Sequence, residues 1–223
     1  MANILITGAN RGIGLALTRL YRERGDTVYA VCRNTSPALA TSGAQVIDGI
    51  DMRDAASIAR LPEVLAGVQL DTVILNAGIF SNETLDKLDD AALTAIRQQF
   101  EVNTLGPLLT AHAVLGQLTE GSKLAIITSR MGSVSDNSSG AYYGYRASKA
   151  AVNAVGKSLA MDLAARGIAV CLLHPGLVAT EMVGGKGDVS PEQAAEGLAA
   201  RVDALNLANT GSFWHANGSA LPW

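Results

Sequence analysis

Tyr145 and Lys149 stand four residues apart in Tyr145-Arg-Ala-Ser-Lys149, downstream of the run Ile126-Ile-Thr-Ser129. On a helix that spacing stacks both side chains on one face. A free phenol, with a pKa near ~10, is a poor acid–base catalyst at neutral pH. An ammonium beside it favours the phenolate and pulls that value down. A phenol tuned in this way can pass a proton to or from a carbonyl or alcohol oxygen. Tyr142 and Tyr143 crowd the same stretch, but their i+4 partners are Arg146 and Ala147, so only Tyr145 has a lysine. Taken alone, the pair also describes an ordinary solvated helix face.

The elements around the pair give it a context. Asn3–Thr7 reads as a buried strand, followed by Gly8-Ala-Asn-Arg-Gly12-Ile-Gly14 and an amphipathic helix to about Arg24. Strand, glycine turn and helix make a phosphate cradle, because glycine lets the backbone approach an anion and the helix N-terminus offers free N–H groups. A tight strand–helix connection alone would use the same residues. The spacing is Thr-Gly-x-x-x-Gly-x-Gly and not Gly-x-Gly-x-x-Gly, since Leu17 holds the last position. Thr27–Cys32 is the second strand. A carboxylate is expected roughly 20 residues past the glycines to hold a ribose 2′-OH, but the strand ends Val31-Cys32-Arg33. Arg33, with Arg11 in the turn, suits a 2′-phosphate instead. That points to NADP(H) over NAD(H).

Further along, Asn34–Gly43 is turn-rich and its helix should be stunted. Ala44–Ile47 is a third strand leading to Asp51 and Met52, with a helix over Asp54–Leu65 capped by Asp51 or Asp54. Asp71–Leu75 is a nearly all-apolar central strand ending Asn76-Ala77-Gly78. Asp89–Gln99 is helical, and Pro107 should kink the next helix by freeing the carbonyl of Asn103. Lys123–Thr128 is the fifth strand, with Ser129 at its carboxyl end, where open parallel sheets bind ligands. The helix with Tyr145 runs to about Ala165, Ile168–Leu173 is the sixth strand, Pro191–Leu205 a helix, and Gly211–Trp223 a possible seventh strand with an aromatic tail. Strand and helix alternate throughout, which predicts an α/β fold: one doubly wound, Rossmann-type parallel sheet of six to seven strands with helices on both faces. All 223 residues are expected to form a single dinucleotide-binding catalytic domain.

Composition narrows the function. The chain is 48% apolar, carries a formal charge of -3 and has no basic run, so nucleic acid and anionic membrane are poor partners. Cys32 and Cys171 sit in apolar runs and read as buried free thiols, not a disulfide or metal site. The N-terminus enters a strand directly and no apolar run spans a bilayer, so a cytoplasmic chain is expected.

Together, Thr7–Gly14, Asn76-Ala77-Gly78, Asn103, Ser129, Tyr145-x-x-x-Lys149 and Pro175-Gly176 with Thr180 follow the order of a known family. Along its whole length the chain resembles a short-chain dehydrogenase/reductase, in the carbonyl-reductase-like branch that includes sniffer-type reductases and the C-factor. The resemblance implies Tyr145 as acid–base, Lys149 lowering its pKa and binding the nicotinamide ribose, and Ser129 donating to the substrate oxygen. It implies that Asn103 holds a water linking Lys149 to solvent. Gly8, Asn10, Arg11, Gly12, Ile13 and Gly14 would take the pyrophosphate side, with Asp51 and Met52 at the adenine. Asn76, Ala77 and Gly78 would meet the adenosine side, and Pro175, Gly176, Val178 and Thr180 the carboxamide.

Three departures stand out. Ser129 lies sixteen residues before Tyr145, so Arg130–Gly144 must bulge, unless Ser133 takes its place. His174 is either packed or faces the substrate. The segment Glu181–Val189 is short, leaving an open pocket for which Phe80, Met131 and Met182 are candidate walls.

The expected activity is NADP(H)-dependent reduction of an aldehyde or ketone. A nucleotide-binding signalling protein of C-factor type is the alternative, and a sugar-nucleotide epimerase is disfavoured by Arg11 and the lack of a second domain. A homodimer or homotetramer is implied by the family, through Asp89–Leu118 and Tyr145–Ala165.

Overall fold

The computed structural model describes residues 1–223. Its frame is one seven-stranded sheet of β1 (Asn3–Thr7), β2 (Thr27–Val31), β3 (Gln45–Ile47), β4 (Leu70–Leu75), β5 (Leu118–Ile127), β6 (Ala169–His174) and β7 (Ser212–His215). The order is β3-β2-β1-β4-β5-β6-β7, and every pairing is parallel. Parallel strands joined by helical crossovers are covered on both faces, which explains their near-continuous apolar sequences. Alternation sorts those side chains. Leu5 joins the core on one face, while its neighbours Ile4 and Ile6 join the core on the other.

Helices α1 (Gly12–Glu23), α2 (Pro37–Ala40) and α8 (Pro191–Ala204) cover one face, through Leu17, Tyr21, Leu39, Leu198 and Val202. Helices α3 (Ala55–Ile58), α4 (Leu61–Val64), α6 (Gly106–Ala113) and α7 (Tyr143–Ala164) cover the other, through Ile58, Leu61, Ala111, Val152 and Leu163. Helix α5 (Asp90–Phe100) packs on α7. Cys32 and Cys171 are buried free thiols. No helix is long and apolar enough to cross a membrane.

Two expected elements differ. The helix over Asp54–Leu65 breaks into α3 and α4, with Asp54 capping the first through Ala56 N (2.9 Å). Pro62 supplies no N–H and its ring opposes the carbonyl of Ile58, so the helix cannot run through. The kink near Asn103 takes the form of a π-helical turn over Glu101–Leu105, between α5 and α6. Such turns release part of the ordinary ladder, as expected just ahead of Pro107. The stunted crossover is present as α2, four residues long.

The chain order reverses on either side of β1: it passes outward to β2 and β3, then returns to β4 on the opposite flank. In open α/β sheets this switch point opens a crevice at the carboxyl ends of the strands.

Candidate active site

A cleft of about 1330 Å³ lies along those strand ends. It brings together nearly every residue singled out from the sequence. Gly8, Asn10, Arg11, Gly12 and Ile13 line one end; Arg33, Asp51 and Met52 the flank; Asn76, Ala77 and Gly78 the floor. Ser129, Tyr145 and Lys149 line the other end, with Pro175, Gly176, Val178 and Thr180 between. Phe80, Met131, Met182 and His174 also face it. Gly14 and Asn103 stand behind the wall. A Cβ on Gly14 would collide with the carbonyl of Gly8 and come within 2.7 Å of Asn76 Nδ2, so only glycine lets α1 start so close to β1.

The glycine turn is braced from behind. Asn76 Nδ2 donates to the carbonyls of Thr7 (3.0 Å) and Gly8 (3.3 Å), and Thr7 Oγ1 accepts from Asn76 N (3.0 Å) and Ala77 N (3.1 Å). Helix α1 has Arg11 at its cap position and no side-chain cap, so its first N–H groups have no side-chain partner. Unpartnered N–H groups at a helix start attract an anion. Around this end three guanidiniums face two carboxylates. Arg11 pairs with Glu181 across the cleft, while Asp51 takes Arg53 at 2.8 Å and Arg33 at 3.7 Å. These arginines hold the Asp51 carboxyl well down, at about 2, chiefly through the Arg53 hydrogen bond.

The other end is drier. Lys149 is 4% exposed, and its Nζ donates to the carbonyl of Ile127 (3.0 Å). Burial pulls the ammonium down to about 8. Tyr145 is half-buried; burial pushes its phenol up, and the Ser129 hydroxyl beside it partly offsets that rise. Lys149 Nζ lies 5.7 Å from the centroid of the Tyr145 ring. The expected acidification of Tyr145 by an adjacent ammonium is therefore not what this arrangement holds: desolvation outweighs the neighbours, and Lys149 spends its proton on a backbone carbonyl.

Ser129, not Ser133, meets the phenol. Ser133 is buried elsewhere, against Ser135 (3.4 Å) and the amide of Asp136 (3.3 Å). The loop after Ser129 bulges as its length requires, pressed so close to α7 that a Cβ on Gly132 would lie 2.9 Å from the Lys149 Cβ.

Asn103 uses its side chain to accept from Ile79 N (2.8 Å) and to donate to Ile79 O (2.9 Å) and Ser148 Oγ (3.1 Å). Ser148 Oγ in turn donates to Tyr145 O (2.9 Å). Asn103 thus ties the π turn to the first turns of α7 and to the strand-end loop above Gly78. His174 packs edge-on against His215 with centroids 4.9 Å apart, and burial first, then His215, lowers it to about 4. It is both packed and at the cleft wall.

Sequence spacing passed over Glu83, Gln99, Gly132 and Gly144. Glu83 sits in a polar stretch, Ser81-Asn-Glu-Thr84, that reads as solvated loop, yet it is 3% exposed. The two glycines carry no signal without the packing partner that demands them.

The short chain dehydrogenase family model matches residues 2–190. The chain is 42% identical over 229 residues, covering all of both chains, to 1-hydroxy-2-glutathionyl-2-methyl-3-butene dehydrogenase of Rhodococcus sp. (strain AD45). It is 36% identical to the C-signal of Myxococcus xanthus over 156 residues, 69% of this chain and 93% of that one. Among solved structures, a carbonyl reductase from Pseudomonas aeruginosa PAO1 in complex with NADP superposes with a TM-score of 0.86 at 33% identity, over all of both chains.

Proposed function

This chain belongs to the short-chain dehydrogenase/reductase family, and from that premise we propose that it is an NADP(H)-dependent oxidoreductase interconverting a carbonyl and an alcohol. We take residues 1–223 as one dinucleotide-binding catalytic domain. The observation that carries the reading is one continuous cleft joining the glycine turn to the Ser129–Tyr145–Lys149 cluster.

The residues present suit the nucleotide. The uncapped start of α1 offers N–H groups to a pyrophosphate, and Arg11 and Arg33 offer guanidiniums to a 2′-phosphate. Lys149 and Tyr145, which line the same cleft, would hold the nicotinamide ribose. When bound, NADPH supplies a hydride to the carbonyl carbon. The protein does the rest. Ser129 donates a hydrogen bond to the carbonyl oxygen, and Tyr145 transfers its proton to that oxygen as charge develops. The phenolate left behind faces the Ser129 hydroxyl and, one helical turn on, the Lys149 ammonium. In the reverse direction the phenolate takes the alcohol proton. Asn103 holds α7 in register with the strand end.

A second reading comes from the Rhodococcus relative, named for oxidising a glutathionyl alcohol. Arg146 lines the same cleft and would suit an anionic, peptide-like substituent, while Arg130 beside it is already paired with Asp136. The C-signal similarity motivates a nucleotide-binding signalling role. The complete Ser129, Tyr145 and Lys149 set favours the enzyme, because a pure binder needs no proton donor. We take the protein to work on a small molecule as a homodimer or homotetramer, in the cytoplasm.

The test is turnover with NADPH, against NADH as control, across aldehydes, ketones and quinones, with a glutathionyl alcohol assayed in the oxidative direction. Turnover with NADPH well above NADH is the expected result. Tight NADPH binding with no turnover anywhere on the panel would instead support the signalling reading.

A further inference from the structure

Helix α7 begins badly by its own sequence. The residues ahead of it, Ala141 (φ 53°) and Tyr142 (φ 54°), are left-handed without being glycine, and Tyr142 at the cap position has no side-chain cap. Tyr145 is only the third residue of this helix. An uncapped, strained start is a poor mount for a proton donor.

The missing cap comes from sixty-one residues upstream. Glu83, in the loop after β4, is 3% exposed. Its Oε2 accepts from Gly144 N (3.1 Å) and its backbone carbonyl accepts from Tyr142 N (2.9 Å). Its Oε1 accepts from Gln99 Nε2 (2.7 Å) and from Ser81 Oγ. Gln99 is itself fully buried on α5, and its Oε1 accepts from Ser81 N (3.1 Å). A buried carboxylate is costly unless its oxygens are saturated. Here they are, by a helix N-terminus and by the amide of a neighbouring helix. Phe80, on the same loop, stacks edge-on against Tyr145 (5.0 Å) and tilted against Tyr142 (5.6 Å).

We infer that Glu83 is a positioning residue: from the loop after β4 it caps α7, pins the left-handed turn at Ala141–Tyr142 and so aims the Tyr145 hydroxyl into the cleft. Glu83 does not line the cleft; it acts through Gly144 and Tyr142. A carboxylate at a helix start also offsets the positive end of the helix dipole. That end favours the phenolate of Tyr145, so the charge on Glu83 keeps the phenol protonated to higher pH. The other charged or titratable side chains sharing the cleft at this end are Lys149 on α7, Arg130, Asp136 and Arg146 around the bulged loop, Tyr142, and His174 on β6. None of them bonds to the Glu83 carboxylate.

The inference rests on Tyr145 as the proton donor, so Tyr145→Phe is measured beside Glu83→Ala and Glu83→Gln. For each, NADPH affinity, kcat and KM are read, with the pH midpoint of the alcohol-oxidation direction. Glu83→Ala should lose about tenfold in kcat with NADPH affinity within about twofold of wild type. Glu83→Gln keeps an oxygen for Gly144 N–H but gives up the bond accepted from Gln99 Nε2, and should recover part of the kcat lost in Glu83→Ala. Its oxidation midpoint should fall by about half a pH unit, because the charge is gone. A Glu83→Gln midpoint equal to wild type, or a Glu83→Ala kcat within about twofold of wild type, overturns the inference. If Glu83→Ala does not fold, the Glu83→Gln midpoint decides alone. A fully active Tyr145→Phe would sink the proton-donor reading itself, whereas an inactive Tyr145→Phe with wild-type Glu83 variants would sink only the role of Glu83.

Discussion

The two ends of the cleft are built on different principles. The end at β1, β2 and β3 relies on backbone: a glycine turn, a bracing Asn76 and an uncapped helix start, ringed by exposed arginines. The end at β5, β6 and α7 relies on buried polar side chains, each satisfied from a different element: Lys149 by Ile127, Asn103 by Ile79 and Ser148, Glu83 by Gly144 and Gln99. A backbone site can bind any nucleotide of the right shape. A buried network fixes single atoms and shifts their proton affinities. Binding and proton transfer should therefore fail separately when each end is damaged.

Two glycines give the largest expected contrast. Gly14→Ala drives a Cβ into the Gly8 carbonyl and within 2.7 Å of Asn76 Nδ2. It should cost about 1–3 kcal/mol in stability and most of the NADPH affinity. Gly144→Ala meets Ile96 Cγ1 at 2.9 Å, as well as Gln99. It should lower kcat while NADPH still binds. Thermal melts with and without NADPH, alongside initial rates, check both. Equal loss of binding in the two variants would break the comparison.

Next comes Lys149. Its folded pKa, about 8, lies below the unfolded 10.5. Between those values the unfolded chain binds more protons, so stability should rise with pH across that window. Below about 8 the buried ammonium costs about 3 kcal/mol. Urea titrations from pH 7 to 10.5 should show the rise in wild type and its absence in Lys149→Met. Carbonyl reduction should decline above about pH 8 as the cation is lost.

His174 gives the acid-side counterpart. Burial lowers it from 6.5 to about 4, so stability should fall as pH drops through that interval, where the unfolded chain takes up the proton first. His174→Leu should flatten that limb of a melting-temperature profile.

The smallest effects belong to the exposed end. Arg33→Ala should reduce the preference for NADPH over NADH about tenfold, and more at low salt than high. Glu181→Gln frees Arg11 and should tighten NADPH by a few fold at most. Titrating both nucleotides at two ionic strengths measures each.

The same contrast explains what the sequence could and could not tell. The succession of strands along the chain, the glycine turn and the Tyr145–Lys149 pair were legible, because apolar runs, glycines and an i+4 spacing are local signals. Ser129 was legible from its place at a strand end, against Ser133. The break at Pro62 is also a local signal, overridden in the expected Asp54–Leu65 helix by its apolar pattern. The proton affinity of Tyr145 was not legible. It depends on how dry the site is and on which atom Lys149 chooses, and the lysine turns to Ile127 O. Glu83 was hidden for the same reason: its partners come from α5 and α7, far along the chain, and a polar loop gives no hint of burial.

The central claim is that Tyr145 delivers the proton inside a cleft shared with the nucleotide. Tyr145→Phe, loaded with NADPH and mixed with a reducible aldehyde in a single turnover, tests it most directly. NADPH should bind within about threefold of wild type while hydride transfer slows by about 10²–10⁴-fold. Transfer at a rate within about tenfold of wild type would contradict the account.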